Sequence, residues 1–274
     1  MDGEIANRTL IDNWDRYWLE RGELNAFSRF VWDMSFEYWD DVFGKVVTGK
    51  QFLECGAGSA LQSQYLSRKG FQVTMLDKSS QALHVGRKHF RSEGLQGTFV
   101  LADVLELPFP DNLYDAVFSG GLLQHSEDVR PMVREMLRVL KPGGMFAAVI
   151  ITNRFSCQVL ADYTFNLFTK LVARVLRGRF TDVFKITRSE QPFFVNSIPV
   201  EIYRKILCES GVEHVVITGT CGFPSLALPR VLLDNVYVPL LKALRPVWRW
   251  FDRNSSKFTE IWGQAWVAWG VKRR

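Results

Sequence analysis

Cysteine and histidine are scarce in this 274-residue chain, which contains four of each. The cysteines form no Cys-x-x-Cys pair, and no cluster of histidines and acids has the spacing of metal ligands. We therefore expect neither a disulfide framework nor a metal site, a pattern typical of a reducing cytoplasm. The four cysteines are Cys55, Cys157, Cys208 and Cys221.

Long apolar runs are also missing. No stretch of 18 uncharged apolar residues occurs, and the first residues lack the apolar core of a signal peptide. Both absences predict a cytoplasmic protein that does not span a membrane, although it could lie peripherally on one. The composition, 47% hydrophobic and 23% charged, is that of a folded protein with a substantial core.

Positive charge is concentrated in the second half of the chain. Residues 1–149 contain 16 basic and 20 acidic side chains, whereas residues 150–274 contain 18 and 9, and the net charge of the whole chain is +5. The second half could meet an anionic substrate, a lipid surface or nucleic acid, or its basic residues could form an ordinary solvated surface.

The most informative stretch is 51–61, Gln-Phe-Leu-Glu-Cys-Gly-Ala-Gly-Ser-Ala-Leu. A short buried strand followed by a glycine turn and a helix brings backbone N–H groups close to a ligand. Gly56 and Gly58 remove side chains from the point where the ligand would touch the backbone. The dinucleotide pattern G-x-G-x-x-G fails at Leu61, so this stretch alone is also compatible with an ordinary strand–turn–helix corner.

Four further apolar strands follow, and the strands alternate with helices. This order predicts a parallel sheet whose ligands bind beyond the carboxyl ends of the strands. Asp77 closes the second strand, 19 residues after Gly58, where a carboxylate can receive ribose hydroxyls. The residues expected together at this edge are Glu54, Gly56, Gly58, Asp77, Asp103, Ser119, Gly120 and His125.

Five phrases in this order resemble class I S-adenosylmethionine-dependent methyltransferases, above all the small-molecule branch that includes ubiquinone-type enzymes. The resemblance covers residues 48–152, and Ala60 replaces the third glycine of the family's first motif. The phrases are Leu-Glu-Cys-Gly-Ala-Gly-Ser at 53–59, Met-Leu-Asp at 75–77, Leu-Ala-Asp-Val-Leu-Glu-Leu-Pro-Phe at 101–109, Tyr-Asp-Ala-Val-Phe-Ser at 114–119 and Leu-Arg-Val-Leu-Lys-Pro-Gly-Gly at 137–144.

The resemblance implies S-adenosyl-L-methionine as cofactor and assigns residues to its parts. The methionine part would lie on Gly56, Ala57 and Gly58, with Glu54 fixing the turn. The ribose would bind Asp77, with Lys78 beside it. The remaining assignments are Asp103 and Val104 at the adenine, Ser119 and Gly120 beneath the sulfonium, and Tyr17 at the carboxylate end.

The whole chain is then expected to form an α/β, Rossmann-like, seven-stranded sheet, mostly parallel with the last strand antiparallel, and with helices on both faces. Residues 1–47 are predicted to form an N-terminal helical lid, mostly amphipathic helix over residues 5–43 with Trp14, Tyr17 and Trp18 on one face. Residues 48–274 are predicted to form the methyltransferase domain. Helical insertions at 153–196 and 219–262, after strands 5 and 6, are predicted to form a substrate cap. The first insertion is predicted to contain an amphipathic basic helix over 155–179. Ordinary packing of extra helices explains the insertions equally well.

The expected reaction is methylation of a small apolar or partly anionic molecule, most simply at a hydroxyl oxygen. His125 is the candidate catalytic base because it follows the fourth strand and titrates near neutrality, although a structural hydrogen bond to a nearby loop is an equal alternative. The other readings are a membrane-associated lipid or quinone methyltransferase, a cofactor-binding protein without transfer activity, and a nicotinamide oxidoreductase. No nucleic-acid partner is expected, and the oligomeric state stays open.

Overall fold

A computed structural model describes residues 2–20, 24–176 and 193–274. Its strands are β1 Gln51–Cys55, β2 Gln72–Asp77, β3 Thr98–Leu101, β4 Tyr114–Gly120, β5 Leu140–Ile150, β6 Val212–Thr220 and β7 Ala265–Lys272. Its helices are α1 Asp2–Glu20, α2 Ala26–Val46, α3 Leu61–Arg68, α4 Ser80–Ser92, α5 Arg130–Val139, α6 Cys157–Ala161, α7 Leu167–Leu176, α8 Val200–Glu209, α9 Arg230–Leu232, α10 Val238–Ala243, α11 Arg245–Arg253 and α12 Lys257–Trp262.

The seven strands form one sheet in the order β3-β2-β1-β4-β5-β7-β6. Strands β1 to β5 pair in parallel, and β7 is antiparallel to both of its neighbours. The predicted Rossmann-like sheet with an antiparallel last strand is therefore confirmed. Because the parallel strands share one direction, the carboxyl ends of β1, β2, β3 and β4 meet at one edge.

Helices cover both faces of the sheet. One face carries α5 and α8, whose Met136 and Tyr203 are buried in the larger core cluster. The opposite face carries α2, α3 and α4, with Trp39 and Phe90 in a second cluster. The continuous apolar strands predicted from the sequence are explained by burial on both sides.

The N-terminal segment, predicted to be mostly helix over residues 5–43, forms the two helices α1 and α2. Helix α2 packs its Tyr38, Trp39, Val42 and Phe43 into the core of the sheet. Helix α1 instead contacts α4 and lies across the carboxyl edge of the sheet. The 1–47 lid stays a prediction, and the packing of α2 restricts any moving part to α1.

The two insertions differ in detail from the expected helices. The predicted helix over 155–179 is divided by a π-helical turn at Asp162–Asn166, and residues 177–179 lie outside the described part of the chain. The second insertion contains a similar turn at Leu233–Tyr237. The sequence Ser-Ile-Pro at 197–199 predicts a helix capped by Ser197, but α8 begins at Val200 without a side-chain cap. Pro199 is the N-cap, and its extended ψ of 153° makes the next residue the first of the helix.

Among the described helices, none combines the length and the hydropathy that a membrane crossing requires.

Candidate functional site

The turn after β1 depends on left-handed backbone. Gly56 and Gly58 have φ of 67° and 52°, and Ala60, in place of the family's third glycine, has φ of 57°. The N–H groups of Gly56 and Ala57 donate to the carbonyl of Leu76, at 2.8 and 3.0 Å, which ties the turn to β2. Two glycines supply this backbone at no steric cost, whereas Ala60 adopts it at a cost of about 1 kcal/mol.

Glu54 anchors the turn from below. Its side chain is buried, and one carboxylate oxygen accepts hydrogen bonds from the backbone N–H of Ser63 at 3.0 Å and from the Ser63 hydroxyl at 2.5 Å. Burial raises the pKa of Glu54 to about 7, and these hydrogen bonds oppose the shift. The carboxyl group thereby connects β1 to the first turn of α3.

Asp77 ends β2 beside this turn. Its two carboxylate oxygens accept the N–H groups of Gly58 and Ser79, each at 2.9 Å. Burial raises the pKa of Asp77, and the backbone hydrogen bonds favour its charged form. The predicted ribose-binding acid therefore lies in direct contact with the glycine turn.

The residues assigned to the adenine lie at the next strand. Lys78 forms an ion pair with Asp103 at 2.5 Å, and the other oxygen of Asp103 accepts the N–H of Leu105 at 3.1 Å. Val104 is buried in the larger core cluster together with Leu107. A ring placed against Asp103 would have to share this carboxylate with Lys78.

Ser119 and Gly120 end β4. Ser119 is fully buried, and its hydroxyl has no hydrogen-bond partner within the described residues. Gly120 is exposed. A buried hydroxyl without a partner carries a desolvation cost of about 1–3 kcal/mol that a bound polar group would remove.

Helix α1 covers this edge directly. A Cβ atom on Gly58 would overlap with the indole ring of Trp18, and a Cβ on Gly56 would lie 3.1 Å from the side chain of Leu122. Asp15, also on α1, accepts the hydroxyl proton of Ser79 at 2.5 Å. The space above the glycine turn is thus filled by side chains of α1 and of the loop after β4.

An aromatic cluster joins α1 to the His125 loop. Trp14 stacks on Phe193 with ring centroids 3.6 Å apart, and the ring of His125 meets the edge of Trp14 at 5.0 Å. Tyr17 contacts Trp14, Trp18 and Phe193 edge to face, at 5.2 to 5.7 Å. Tyr17 and His125 therefore border the same cluster.

His125 is held in one tautomer. Its Nδ1–H donates to the carbonyl of Phe194 at 2.7 Å, so Nε2 carries the lone pair. The side-chain amide of Gln124 donates to the carbonyl of Gly121 at 2.7 Å and lies 3.2 Å from Nε2. Burial lowers the pKa of His125, which keeps the ring neutral near pH 7.

Asn196 fixes the segment that holds Phe193 and Phe194. Its backbone N–H donates to Gln124, and its carbonyl accepts from Asn153. Its buried side-chain amide donates to the carbonyl of Ser126 at 2.8 Å. One residue therefore connects three loops at the carboxyl edge of the sheet.

The structure brings the predicted residues together around two neighbouring centres. Glu54, Gly56, Ala57, Gly58 and Asp77 surround the glycine turn, with Lys78, Asp103 and Val104 on one side and Ser119 and Gly120 on the other. Tyr17 and His125 lie at the aromatic cluster, which α1 connects to the turn.

Sequence reasoning missed several neighbours of these residues. Spacing placed Trp18 on one face with Trp14 and Tyr17, but nothing in the sequence indicated its contact with Gly58. No sequence signal marked the partners of the aromatic cluster and of His125, because these contacts join distant parts of the chain. The missed residues are Asp15, Trp18, Leu122, Gln124, Phe193 and Asn196.

The residues at this edge fit S-adenosylmethionine. The cradle at Gly56 and Gly58 would be filled by any side chain there, the Asp77 carboxylate stands beside it, and the buried hydroxyl of Ser119 lacks a partner. Within the described residues, no group of three potential ligand side chains could hold a metal ion.

Comparison with known proteins shows similarity to methyltransferases. A family model described as "Methyltransferase domain" matches residues 53–148. The chain is 34% identical over 129 residues to methyltransferase GfsG of Streptomyces halstedii, covering 46% of each chain. It is 34% identical over 131 residues to the ubiquinone/menaquinone biosynthesis C-methyltransferase UbiE of Idiomarina loihiensis, covering 45% of this chain and 52% of the relative. The chain thus spans about half the length of these curated relatives.

A solved structure shows the same fold over nearly the whole chain. It is a methyltransferase from Thermotoga maritima described as a possible histamine N-methyltransferase, with a TM-score of 0.52 and 14% identity, covering 96% of this chain and 99% of its own. The matched segment includes the glycine turn, Asp77, Asp103 and Ser119. Residues 53–148 therefore match a methyltransferase domain, and the whole chain shares the fold of a solved methyltransferase.

Proposed function

We propose that this chain transfers the methyl group of S-adenosylmethionine to a hydroxyl oxygen of a small, apolar or partly anionic molecule. The observation that carries the proposal is the contact of the glycine turn with Asp77, where the N–H of Gly58 meets the carboxylate at 2.9 Å. This contact supports the proposal because the Asp77 carboxylate, which would accept ribose hydroxyls, lies beside the glycine turn within the segment that matches the methyltransferase domain model.

Bound S-adenosylmethionine supplies a methyl group on a positively charged sulfur. Asp77 would bind the ribose hydroxyls, and Asp103 would accept from the adenine amino group, with Lys78 giving up part of its ion pair. Gly56, Ala57 and Gly58 would make room for the methionine part once Trp18 has moved, and Glu54 holds the turn in place. The protein's contribution is to position the two reactants, which can supply roughly 7–11 kcal/mol of the barrier.

The buried hydroxyl of Ser119 and the exposed backbone of Gly120 lie at the end of β4, next to β1. We assign them to the floor of the pocket, where the Ser119 hydroxyl would gain the hydrogen-bond partner that it lacks. Val104 belongs to the apolar support of the adenine side, and Tyr17 closes the opposite side from α1.

His125 would act as the base. Because Nδ1–H is bound to Phe194, the lone pair of Nε2 can take the proton of an acceptor hydroxyl once the Gln124 amide turns away. The lowered pKa keeps this nitrogen unprotonated at neutral pH. The rings of Trp14 and Phe193 around it favour an apolar acceptor.

Side chains of α1 must move before a cofactor can occupy the cradle, because Trp18 lies against Gly58. Calorimetric titration with S-adenosylmethionine and, separately, with NAD tests the binding step: we expect saturable binding of the first only. A panel of hydroxylated metabolites, read by mass spectrometry for the gain of one methyl group, tests transfer. Cofactor binding without methylation of any panel member would favour the non-catalytic alternative, and preferential NAD binding would refute the proposal.

A further inference from the structure

The second insertion presents a continuous apolar stripe to solvent. Its members recur every three or four residues from α9 to α11, so they share one helical face. Their side chains are between 38% and 57% exposed, whereas Val238 and Leu241 on the other face are buried against α2. The stripe consists of Leu232, Val236, Leu240, Leu244 and Val247.

The first insertion adds a second exposed apolar row along α6 and α7. Its members are 37% to 65% exposed, and the buried positions of this segment include Asn166, which is polar. A helix that exposes its apolar residues and buries an amide lacks the usual inward-facing pattern of a surface helix. The row consists of Leu160, Tyr163, Leu167, Phe168 and Val172.

Hydrogen bonds hold the two insertions side by side. The side chains of Gln158 and Asn166 donate to the carbonyl of Ser225 at 3.2 and 3.0 Å, and Asn166 accepts the N–H of Ala227 at 2.7 Å. Residues 225–227 lead directly into α9. We call the combined surface of the stripe and the row the cap face.

The two insertions carry a net positive charge. Segments 154–176 and 226–250 contain seven basic and two acidic residues. One of the acids, Asp234, already pairs with Arg230, and Arg245 and Arg249 pair with Glu37 of α2. Lys170, which is exposed on α7 three residues after Leu167 of the row, has no ion pair among the residues that the structure describes.

A second copy of the chain fits this surface poorly. A symmetric dimer through the cap face would bring two surfaces of the same positive sign together, which opposes association. Exposed aliphatic side chains with lysine beside them instead match an interface in which the apolar groups enter the acyl region and the cations meet anionic headgroups.

We propose that the cap face docks the protein onto a bilayer that contains anionic phospholipid. The proposal also specifies the acceptor of the proposed function as a lipid-soluble molecule that enters from the membrane. The reason is that both insertions begin at the carboxyl edge of the sheet, where the site lies. That statement about the acceptor rests on the proposed function, whereas the docking does not.

Vesicle co-sedimentation tests the docking. The wild-type chain is titrated with phosphatidylcholine vesicles that contain or lack phosphatidylglycerol, in low and in high salt. The variant combines Leu240→Glu with Leu244→Glu, which keeps good helix formers on the stripe. Its matched control is Leu113→Glu, a partly exposed leucine at the amino end of β4, on the opposite edge of the sheet.

We expect wild-type and control chains to bind vesicles that contain phosphatidylglycerol in low salt. Their affinity should be at least tenfold lower in high salt or when phosphatidylglycerol is left out. The double variant should bind at least tenfold more weakly than the control. Absence of wild-type binding, equal binding of the double variant, or a dimer in sedimentation velocity that only the double variant abolishes would each overturn the docking. Calorimetry with S-adenosylmethionine on the same samples separates the two proposals. Cofactor binding without vesicle binding refutes docking alone. Vesicle binding without cofactor binding refutes the proposed function alone.

Discussion

Replacing Gly58 by alanine tests whether the glycine turn is the cofactor cradle. Gly58 and Gly94 both have left-handed backbone, with φ of 52° and 65°. A Cβ at Gly94 would meet nothing within 4 Å, whereas a Cβ at Gly58 would overlap with Trp18. Gly94→Ala is therefore a matched control that has the same backbone strain without the contact.

The two substitutions should differ more in cofactor affinity than in stability. Left-handed backbone costs an alanine about 1–2 kcal/mol at either position. At Gly58 the displaced Trp18 also loses its edge-to-face contact with Tyr17, which adds about 1 kcal/mol. A cofactor pushed away from the turn would lose at least one hydrogen bond to a charged group, about 1.5–3 kcal/mol, which corresponds to roughly 10- to 150-fold in affinity.

Urea unfolding measures the stability, and calorimetric titration with S-adenosylmethionine measures the affinity. The double variant Trp18→Ala/Gly58→Ala separates the effect on stability from the effect on affinity. It lacks the clash between Trp18 and the new Cβ, and we still expect it to bind the cofactor weakly. Wild-type affinity in a folded Gly58→Ala variant, or an equal loss of affinity in Gly94→Ala, would refute the placement of the cofactor on this turn.

Three further predictions concern titratable groups. Asp77→Asn should weaken S-adenosylmethionine binding about 100-fold in calorimetric titration, because two charge-assisted hydrogen bonds are lost. The control Asp111→Asn, which changes an exposed carboxylate paired with Arg138, should leave the affinity unchanged. Burial raises the pKa of Glu54 to about 7, so this group stabilises the fold below its ordinary pKa and loses that contribution as the pH rises to about 7. The loss of stability is on the order of 3 kcal/mol, and Glu54→Gln should remove it in urea unfolding measured from about pH 4.5 to 8. An unchanged dependence of stability on pH in this variant would contradict the prediction. Burial lowers the pKa of His125, so the folded state binds this proton more weakly and stability falls as the pH drops below about 6.5. In His125→Gln the free energy of unfolding should fall less steeply with decreasing pH. An identical pH dependence would show that the ring is not responsible.

The sheet could be predicted because its sequence signals are local. Apolar strands alternate with helices, and acids or glycines close the strands, so strand direction alone brings Glu54, Gly56, Asp77 and Ser119 to one edge. The structure confirms the seven strands, with ends that differ by a few residues. The fifth strand, which the sequence predicts to begin at Met145, begins at Leu140, because Leu140 pairs with Tyr114 before an irregularity in register that ends at the Ala116–Met145 pair.

The surroundings of the site depended on contacts that no local pattern encodes. Phe193 stacks on Trp14 across most of the chain, and the carbonyl of Phe194 sets the tautomer of His125. Composition showed that the second half is basic but not that the insertions would bury an amide and expose leucines. Such arrangements depend on how distant segments pack.

The sequence by itself determined the order of the elements, the resemblance to a methyltransferase family and the set of polar residues at the carboxyl edge, since these follow from hydrophobic periodicity and from short motifs. Only the tertiary structure decided that Trp18 rests on Gly58, that α2 belongs to the core while α1 crosses the site, and that the insertions form an exposed apolar face. The physical reason is that burial and hydrogen bonding between remote segments are properties of the packed chain, in which a side chain's partners are fixed by the whole fold.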